Sequence, residues 1–133
     1  MIVADTSALI AVLQNEEDAG RFAGAIAEAD PVLVSAASVA EAGIVMLNRH
    51  GPPGADKVRA LIREAGLRVE DVTAEHAEIA IEAYEAYGKG GQAPGKANLN
   101  YGDCFSYALA KATGLPLLFK GHDFSHTDVA AVL

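Results

Sequence analysis

Short apolar runs alternate along the chain with longer stretches that have helical periodicity. The apolar runs predict buried strands at residues 2–4, 32–34, 67–72 and 116–119, and residues 129–133 are a candidate fifth strand. The helical stretches lie at residues 8–13, 16–29, 36–50, 55–65, 74–87 and 102–113. Strands that alternate with helices predict an α/β fold, in which a mainly parallel sheet of four to five strands is covered by helices on both faces.

A loop interrupts this alternation between residues 88 and 100. It contains four glycines and a proline, and it is longer than a simple connection between two elements. Long loops of this kind are often functional, so the polar side chains here are candidates for contacts with a phosphate backbone. A solvated loop with no binding role explains the same composition equally well. The candidates are Lys89, Lys96, Asn98, Asn100 and Tyr101.

Four acidic residues stand where the hydrophobic pattern does not call for them: Asp5, Glu41, Asp103 and Asp123. Asp5 and Asp123 each follow a predicted strand, and parallel sheets bind ligands beyond the carboxyl ends of their strands. Because grouped carboxylates repel one another, a shared site needs a cation, and oxygen ligands favour Mg²⁺ or Mn²⁺ over zinc. The four acids are therefore candidate metal ligands.

Three of these acids also have an ordinary structural explanation. Asp5 would cap the helix that follows it, although Thr6 and Ser7 can fill that role. Asp103 suits a first helical turn, where an acid interacts favourably with the helix dipole, and Asp123 suits a turn.

Glu41 is harder to explain by local structure alone. Its helix, residues 36–50, is apolar on nearly every face and is expected to be buried on most sides. An unpaired carboxylate in such a place costs several kcal/mol or becomes protonated. A functional role is the better explanation, and a narrow solvated stripe on the helix is the alternative.

Composition narrows the class of protein. The chain has 133 residues, of which 51% are hydrophobic, so residues 1–133 are interpreted as a single domain with its own core. The net charge of -8 argues against a broad nucleic-acid-binding surface, but not against an enzyme whose acids gather metal ions locally. A single cysteine excludes an internal disulfide and permits a reducing compartment. No signal peptide and no apolar run of membrane length is present, which predicts a cytoplasmic protein without membrane contact.

Four blocks of the sequence resemble the motifs of the PIN-domain family, most closely those of the VapC-type toxins of bacterial toxin–antitoxin pairs. Residues 2–9 (IVADTSAL) resemble the first strand and first acid, and residues 38–41 (SVAE) resemble the second acidic motif. Residues 99–110 (LNYGDCFSYALA) and 117–125 (LLFKGHDFS) resemble the third and last motifs. The blocks occur in order over the whole chain, which makes the resemblance specific. One departure is His122, which stands where relatives often have Asn.

The resemblance implies a PIN-like three-layer α/β/α sandwich and a Mg²⁺-dependent endoribonuclease of a type II toxin–antitoxin system, with Mn²⁺ as a second possible metal. The four acids would hold one or two ions, and a metal-activated water would hydrolyse the phosphodiester bond. Thr6 or Ser7 would orient Asp5 or the substrate phosphate.

The resemblance also implies partners for the chain. Family members are usually homodimers, and a small VapB-like antitoxin inhibits them, often by inserting a basic side chain among the acids. A few basic residues would meet the RNA substrate, and the candidates are Arg49, Lys89, Lys96 and Lys120.

Two other functions are weighed against this one. A catalytically inactive PIN fold that serves as a binding module would normally have lost one of the acids, and all four are present. A phosphotransfer enzyme with an Asp nucleophile, of the haloacid-dehalogenase type, needs a second Asp two positions after Asp5, where this chain has Ser7.

Overall fold

A parallel sheet of four strands forms the centre of the computed structural model, which describes residues 1–93, 95 and 97–133. The order of the strands across the sheet is β3-β2-β1-β4. Ile2 pairs with Val32 and Val3 pairs with Leu117, so β1 lies between β2 and β4. Because β1 and β4 are parallel, the residues that follow both strands lie at the same end of the sheet, beyond the carboxyl ends of the strands. The strands are β1 (Ile2–Ala4), β2 (Val32–Ser35), β3 (Arg68–Glu70) and β4 (Leu117–Leu118).

Helices cover both faces of this sheet. Successive side chains of a strand point to opposite faces, and Ile2 and Ala4 accordingly pack with α1 to α4, whereas Val3 packs with α5 and α6. The predicted three-layer α/β/α fold with a mainly parallel sheet is confirmed. No helix in the described part of the chain is long and apolar enough to cross a membrane. The helices are α1 (Thr6–Leu13), α2 (Ala19–Glu28), α3 (Ala36–His50), α4 (Pro52–Ala65), α5 (Ala74–Tyr87) and α6 (Tyr101–Thr113).

The starts of three helices differ by two or three residues from the sequence-based prediction. Helix α1 begins at Thr6 because Asp5 is its N-cap. Helix α4 begins at Pro52, three residues earlier than predicted, since the fixed φ of proline suits a first helical turn. Helix α2 begins at Ala19 instead of residue 16, and the acids that precede it lie in the connection from α1.

The expectation that α3 is buried on most sides is wrong. Ser38, Ala42 and Met46 form its buried face, whereas Ile44 is 58% exposed and Leu47 is 43% exposed. Apolar composition does not decide which apolar side chains meet the core, because more than half of a typical protein surface is also apolar.

The prediction of a fifth strand at residues 129–133 is also wrong for the described chain. The segment meets β4 through an isolated parallel bridge between Leu117 and Ala131. The Leu117 amide donates to the Ala130 carbonyl at 2.8 Å, and the Val132 amide donates to the Leu117 carbonyl at 3.0 Å. Because β4 is only two residues long, it offers too little backbone for a longer ladder.

The long loop after α5 is anchored at both ends. Gly88 and Leu99 form an isolated bridge, and the Leu99 amide donates to the Tyr87 carbonyl at 2.8 Å. The Leu99 side chain is 1% exposed and packs in the core beneath α5 and α6. This anchoring fixes where Asn100 and the first turn of α6 lie.

Candidate active site

Asp5 is the most deeply buried of the four predicted acids, with 2% of its surface exposed. Its Oδ2 accepts hydrogen bonds from the Ser7 amide at 3.0 Å and from the Ser7 hydroxyl at 2.6 Å. Its Oδ1 is also buried and has no hydrogen-bond partner among the described residues. A buried carboxylate oxygen without a partner is unfavourable, so this atom indicates a place for a ligand. The expectation that Thr6 or Ser7 caps α1 is wrong, because Asp5 caps the helix itself.

The two residues after Asp5 have different partners. The Ser7 hydroxyl donates to Asp5 and accepts a hydrogen bond from the Lys120 amide at 2.9 Å. The Thr6 hydroxyl donates to the Ser38 carbonyl at 3.3 Å and so joins α1 to α3. Of the two predicted supporting residues, Ser7 contacts the first acid and Thr6 contacts a neighbouring helix.

Asp103 lies in the first turn of α6 and is 9% exposed. The Asp103 amide donates to Asn100 Oδ1 at 2.8 Å, and the Asn100 amide donates to Asp103 Oδ2 at 3.0 Å, which together form a capping box. Burial raises the pKa of Asp103 to about 7 against the opposing effect of the Asn100 amide. The charges of Asp5, Asp123 and Glu41 raise this pKa further, so the other three predicted acids all lie within electrostatic reach of Asp103.

Glu41 reaches the site from the second turn of α3 and is partly buried. Its carboxylate lies against Gly102, where a β-carbon would stand 2.2 Å from Glu41 Oε2. Gly102 directly precedes Asp103, so this contact brings the second acid beside the third. The close approach of α3 to α6, and not burial on all sides of α3, places Glu41 at the site.

Asp123 is exposed and lies in the segment that follows β4. Its charge contributes to the raised pKa of Asp103. The Lys120 amide of the same segment bonds to Ser7, which shows that the residues after β1 and after β4 converge. This convergence follows from the parallel pairing of the two strands.

Two buried hydroxyls join the helices that carry Glu41 and Asp103. Ser38 Oγ and Ser106 Oγ are 3.0 Å apart, and the two side chains are 1% and 0% exposed. Ser38 lies three residues before Glu41 and Ser106 three residues after Asp103, so each hydroxyl is about one helical turn from an acid. The sequence motifs include both serines, but no local pattern predicts that they contact each other, and the N-cap of α3 is Ser35.

Asn100 and Gly102 are further site residues whose roles were not predicted. Asn100 was a candidate for a phosphate contact, but its side-chain oxygen accepts the Asp103 amide instead. The signal was readable, because an Asn three residues before an Asp at a helix start resembles a capping box. The requirement for glycine at position 102 depends on the tertiary contact with Glu41, and no local pattern reveals it.

The basic residues that are predicted to contact RNA differ in their exposure and in whether they form ion pairs within the protein. The Lys120 ammonium forms ion pairs with Glu16 and with Asp18, the latter at 3.0 Å, and these carboxylates raise the pKa of Lys120. These two ion pairs engage the Lys120 ammonium within the protein, and its expected contact with RNA stays a prediction. Arg49 and Lys89 are exposed.

The remaining loop candidates are only partly described. Asn98 is exposed, and Tyr101 is 79% exposed with its ring edge-on to Phe105 at a centroid distance of 4.9 Å. Lys96 lies outside the described residues.

The donor set fits a hard divalent cation. The four predicted ligands are all carboxylates, Asp5 offers a buried oxygen without a partner, and the missing side chain of Gly102 leaves room for Glu41 beside Asp103. Within residues 1–93, 95 and 97–133, no three His, Cys, Asp or Glu side chains converge closely enough to form a closed set of ligands. The other three acids influence the charge of Asp103 without forming such a set, and like charges repel one another when no cation lies between them.

The chain is similar to known proteins over nearly its whole length. The family model described as the PIN domain matches residues 2–130. Ribonuclease VapC30 of Mycobacterium tuberculosis is 49% identical over 132 residues, which cover 98% of this chain and 98% of that protein.

Solved structures with lower identity share the fold. VapC20 of Mycobacterium tuberculosis, described as a sarcin–ricin loop cleaving toxin, has a TM-score of 0.80 at 23% identity, covering 99% of this chain and 98% of that one. A toxin–antitoxin complex from Klebsiella pneumoniae has a TM-score of 0.70 at 17% identity, covering 94% and 91%.

Proposed function

The chain belongs to the PIN-domain family, among its VapC-type ribonucleases, and we propose that it is a divalent-metal-dependent endoribonuclease that acts as the toxin of a toxin–antitoxin pair. The observation that carries the proposal is the buried Oδ1 of Asp5, which has no hydrogen-bond partner among the described residues, and the grouping of charges around Asp103 agrees with it. A buried carboxyl in the first turn of α6 is influenced by three further acids from distant parts of the chain. Asp5 and Asp103 also cap helices, but grouping them with two further acids costs stability, because like charges repel one another.

Asp5, Glu41, Asp103 and Asp123 are the residues that would hold one or two Mg²⁺ ions, directly or through water, and Mn²⁺ would serve in their place. The bound metal supplies an activated water and stabilises the charge that develops on the phosphodiester oxygens. Ser7 holds Oδ2 of Asp5 in place and leaves Oδ1 free for a ligand. The Asn100 amide orients the Asp103 carboxylate from the other side.

RNA, a small antitoxin and a second copy of the chain are the proposed partners, with RNA cleaved in the cytoplasm. The support for an antitoxin comes from the relatives, one of which was solved as a toxin–antitoxin complex. Apolar side chains that remain exposed on α3 and α5, among them Ile44 and Ile81, supply surface for protein partners.

RNA cleavage by the purified protein tests the enzymatic part of the proposal. We expect EDTA to stop cleavage and added Mg²⁺ or Mn²⁺ to restore it, because the acids require the ion to position water and phosphate. Asp103→Asn, purified in the same way, controls for contaminating nucleases. Cleavage that continues undiminished in EDTA would contradict the metal-dependent mechanism.

Induced expression tests the toxin role separately. We expect growth arrest on induction and relief of that arrest by co-expression of a short neighbouring reading frame. Arrest that is absent, or that the neighbour does not relieve, would contradict the toxin role and leave the nuclease proposal standing. Sequencing the RNA ends produced on induction identifies the substrate.

A further inference from the structure

Lys120 is bound at both ends, by its side chain and by its backbone. Its ammonium pairs with Glu16 and Asp18, which lie in the connection between α1 and α2. The side chains of Lys120, Glu16 and Asp18 are 37%, 32% and 29% exposed, so the cluster is partly shielded from water. A double pair of this kind holds its segment more firmly than a single surface ion pair.

The backbone of Lys120 leads directly to the first acid. Its amide donates to Ser7 Oγ at 2.9 Å. Because a serine hydroxyl has one proton, accepting this bond leaves that proton directed at Asp5 Oδ2, 2.6 Å away. Asp5 Oδ2 is thereby occupied, and Oδ1 is the oxygen left for a ligand.

The same segment carries the fourth acid. Asp123 lies three residues after Lys120, and Gly121 between them has a φ of 95°, in the region that favours glycine. A glycine in this conformation gives the segment little stiffness of its own, so an anchor on one side of it matters for the position of Asp123.

We propose that Lys120 is a positioning residue for the metal site, and that its ion pairs with Glu16 and Asp18 hold the segment after β4 where it fixes Asp5 through Ser7 and presents Asp123. The inference rests on the proposed function, since both acids are taken as metal ligands. It assigns Lys120 a role inside the protein in place of a contact with RNA.

Binding of Mn²⁺ in the absence of RNA, measured by calorimetric titration, tests this role. The double variant Glu16→Gln/Asp18→Asn removes the partners without altering the segment after β4, and Lys120→Met removes the cation. Both are expected to weaken Mn²⁺ binding about 10-fold or more, the usual loss when a residue behind a metal ligand is removed. Lys120→Arg keeps the charge and is expected to restore most of the affinity.

Lys111→Met is the matched control. Lys111 also forms an ion pair at 3.0 Å, with Asp128, and has a similar exposure of 39%, but it has no bonded path to the four acids. Its loss should leave Mn²⁺ affinity unchanged. In the metal-free protein, hydrogen exchange at the Lys120 amide should be faster in Lys120→Met and unchanged in Lys111→Met.

The outcomes separate three accounts. Unchanged Mn²⁺ affinity in Lys120→Met would overturn the positioning role. A raised KM for RNA in Lys120→Met, with Mn²⁺ affinity unchanged and the double variant unaffected, would instead assign Lys120 to a direct RNA contact. Wild-type protein that binds no Mn²⁺ would overturn the proposed function, and this inference with it.

Discussion

The carboxylate of Glu41 lies against the backbone of Gly102, so closely that a β-carbon on residue 102 would stand 2.2 Å from Glu41 Oε2. Gly102 lies within α6, so glycine is required there by this contact and not by an unusual backbone conformation. The contact joins α3 to α6 where each helix carries an acid.

Gly102→Ala should separate activity from stability. The Glu41 carboxylate is the end of a flexible side chain and can move away from a new methyl group, while alanine favours the helix by up to about 1 kcal/mol. We expect the Tm to be unchanged or higher and Mg²⁺ or Mn²⁺ affinity to fall about 10-fold or more. Gly24→Ala in α2, where a β-carbon meets nothing within 4 Å, is the matched control. Full metal affinity in Gly102→Ala would show that the position of Glu41 is unimportant.

Asp5→Asn should abolish RNA cleavage and leave the fold intact. Asparagine is as good an N-cap as aspartate, and its side-chain oxygen can still accept from Ser7, so α1 should form normally. The loss of the charge should lower kcat about 100-fold or more. Circular dichroism checks the fold, and Asp71→Asn, an exposed acid after β3, is the control. Cleavage of RNA by Asp5→Asn at the wild-type rate would show that Asp5 has no role in catalysis.

Asp103 should make the metal-free protein less stable as the pH rises. Its pKa is raised to about 7 in the folded protein and is 3.8 in the reference state, so between these values the folded protein holds a proton that the unfolded chain has lost. Its contribution to stability is therefore complete below about pH 4 and is lost as the pH rises through 7.

Unfolding by urea in EDTA measures this effect as a difference between wild type and Asp103→Asn. Relative to the variant, the wild type should lose up to about 4 kcal/mol between pH 4 and pH 8. Excess Mg²⁺ should reduce that loss, because the cation favours the ionised carboxylate. An identical pH dependence in the two proteins would mean that Asp103 titrates normally.

Ser38 and Ser106 should be energetically coupled. Replacing one by Ala leaves a buried hydroxyl without its partner, which costs about 1–3 kcal/mol, whereas replacing both can be nearly neutral. We expect each single variant to be less stable than the double variant Ser38→Ala/Ser106→Ala. Urea unfolding of the four proteins measures the coupling. Additive losses in the double variant would show that the two hydroxyls do not depend on each other.

The layered fold and the convergence of Asp5 with the segment of Asp123 could be predicted from the sequence, because both depend on the order of strands and helices. Asp5 and Asp123 follow strands that pair in parallel, and this topology alone brings both residues to the end of the sheet beyond the carboxyl ends of the strands. The sequence did not reveal which face of α3 packs against the core. Exposed Ile44 and buried Met46 are both apolar, and the sequence pattern cannot tell which of them faces the core.

The contacts that hold the acids in place were the least predictable part of the site. Lys120 looked like a free cation because its partners, Glu16 and Asp18, are more than 100 positions away and belong to a connection that was predicted to be helical. The Ser38–Ser106 pair likewise joins residues 68 positions apart. Local patterns specify caps and turns, but contacts of this range follow from how the helices pack.

The position of bound metal tests the central claim most directly. Crystals grown with Mn²⁺ should give an anomalous difference peak among Asp5, Glu41, Asp103 and Asp123, with Asp5 Oδ1 among its ligands. The same experiment on Asp103→Asn should give a weaker peak or none. A well-ordered wild-type crystal with no peak at these four carboxylates, or with its peak elsewhere on the protein, would contradict the assignment of the acids as the metal site.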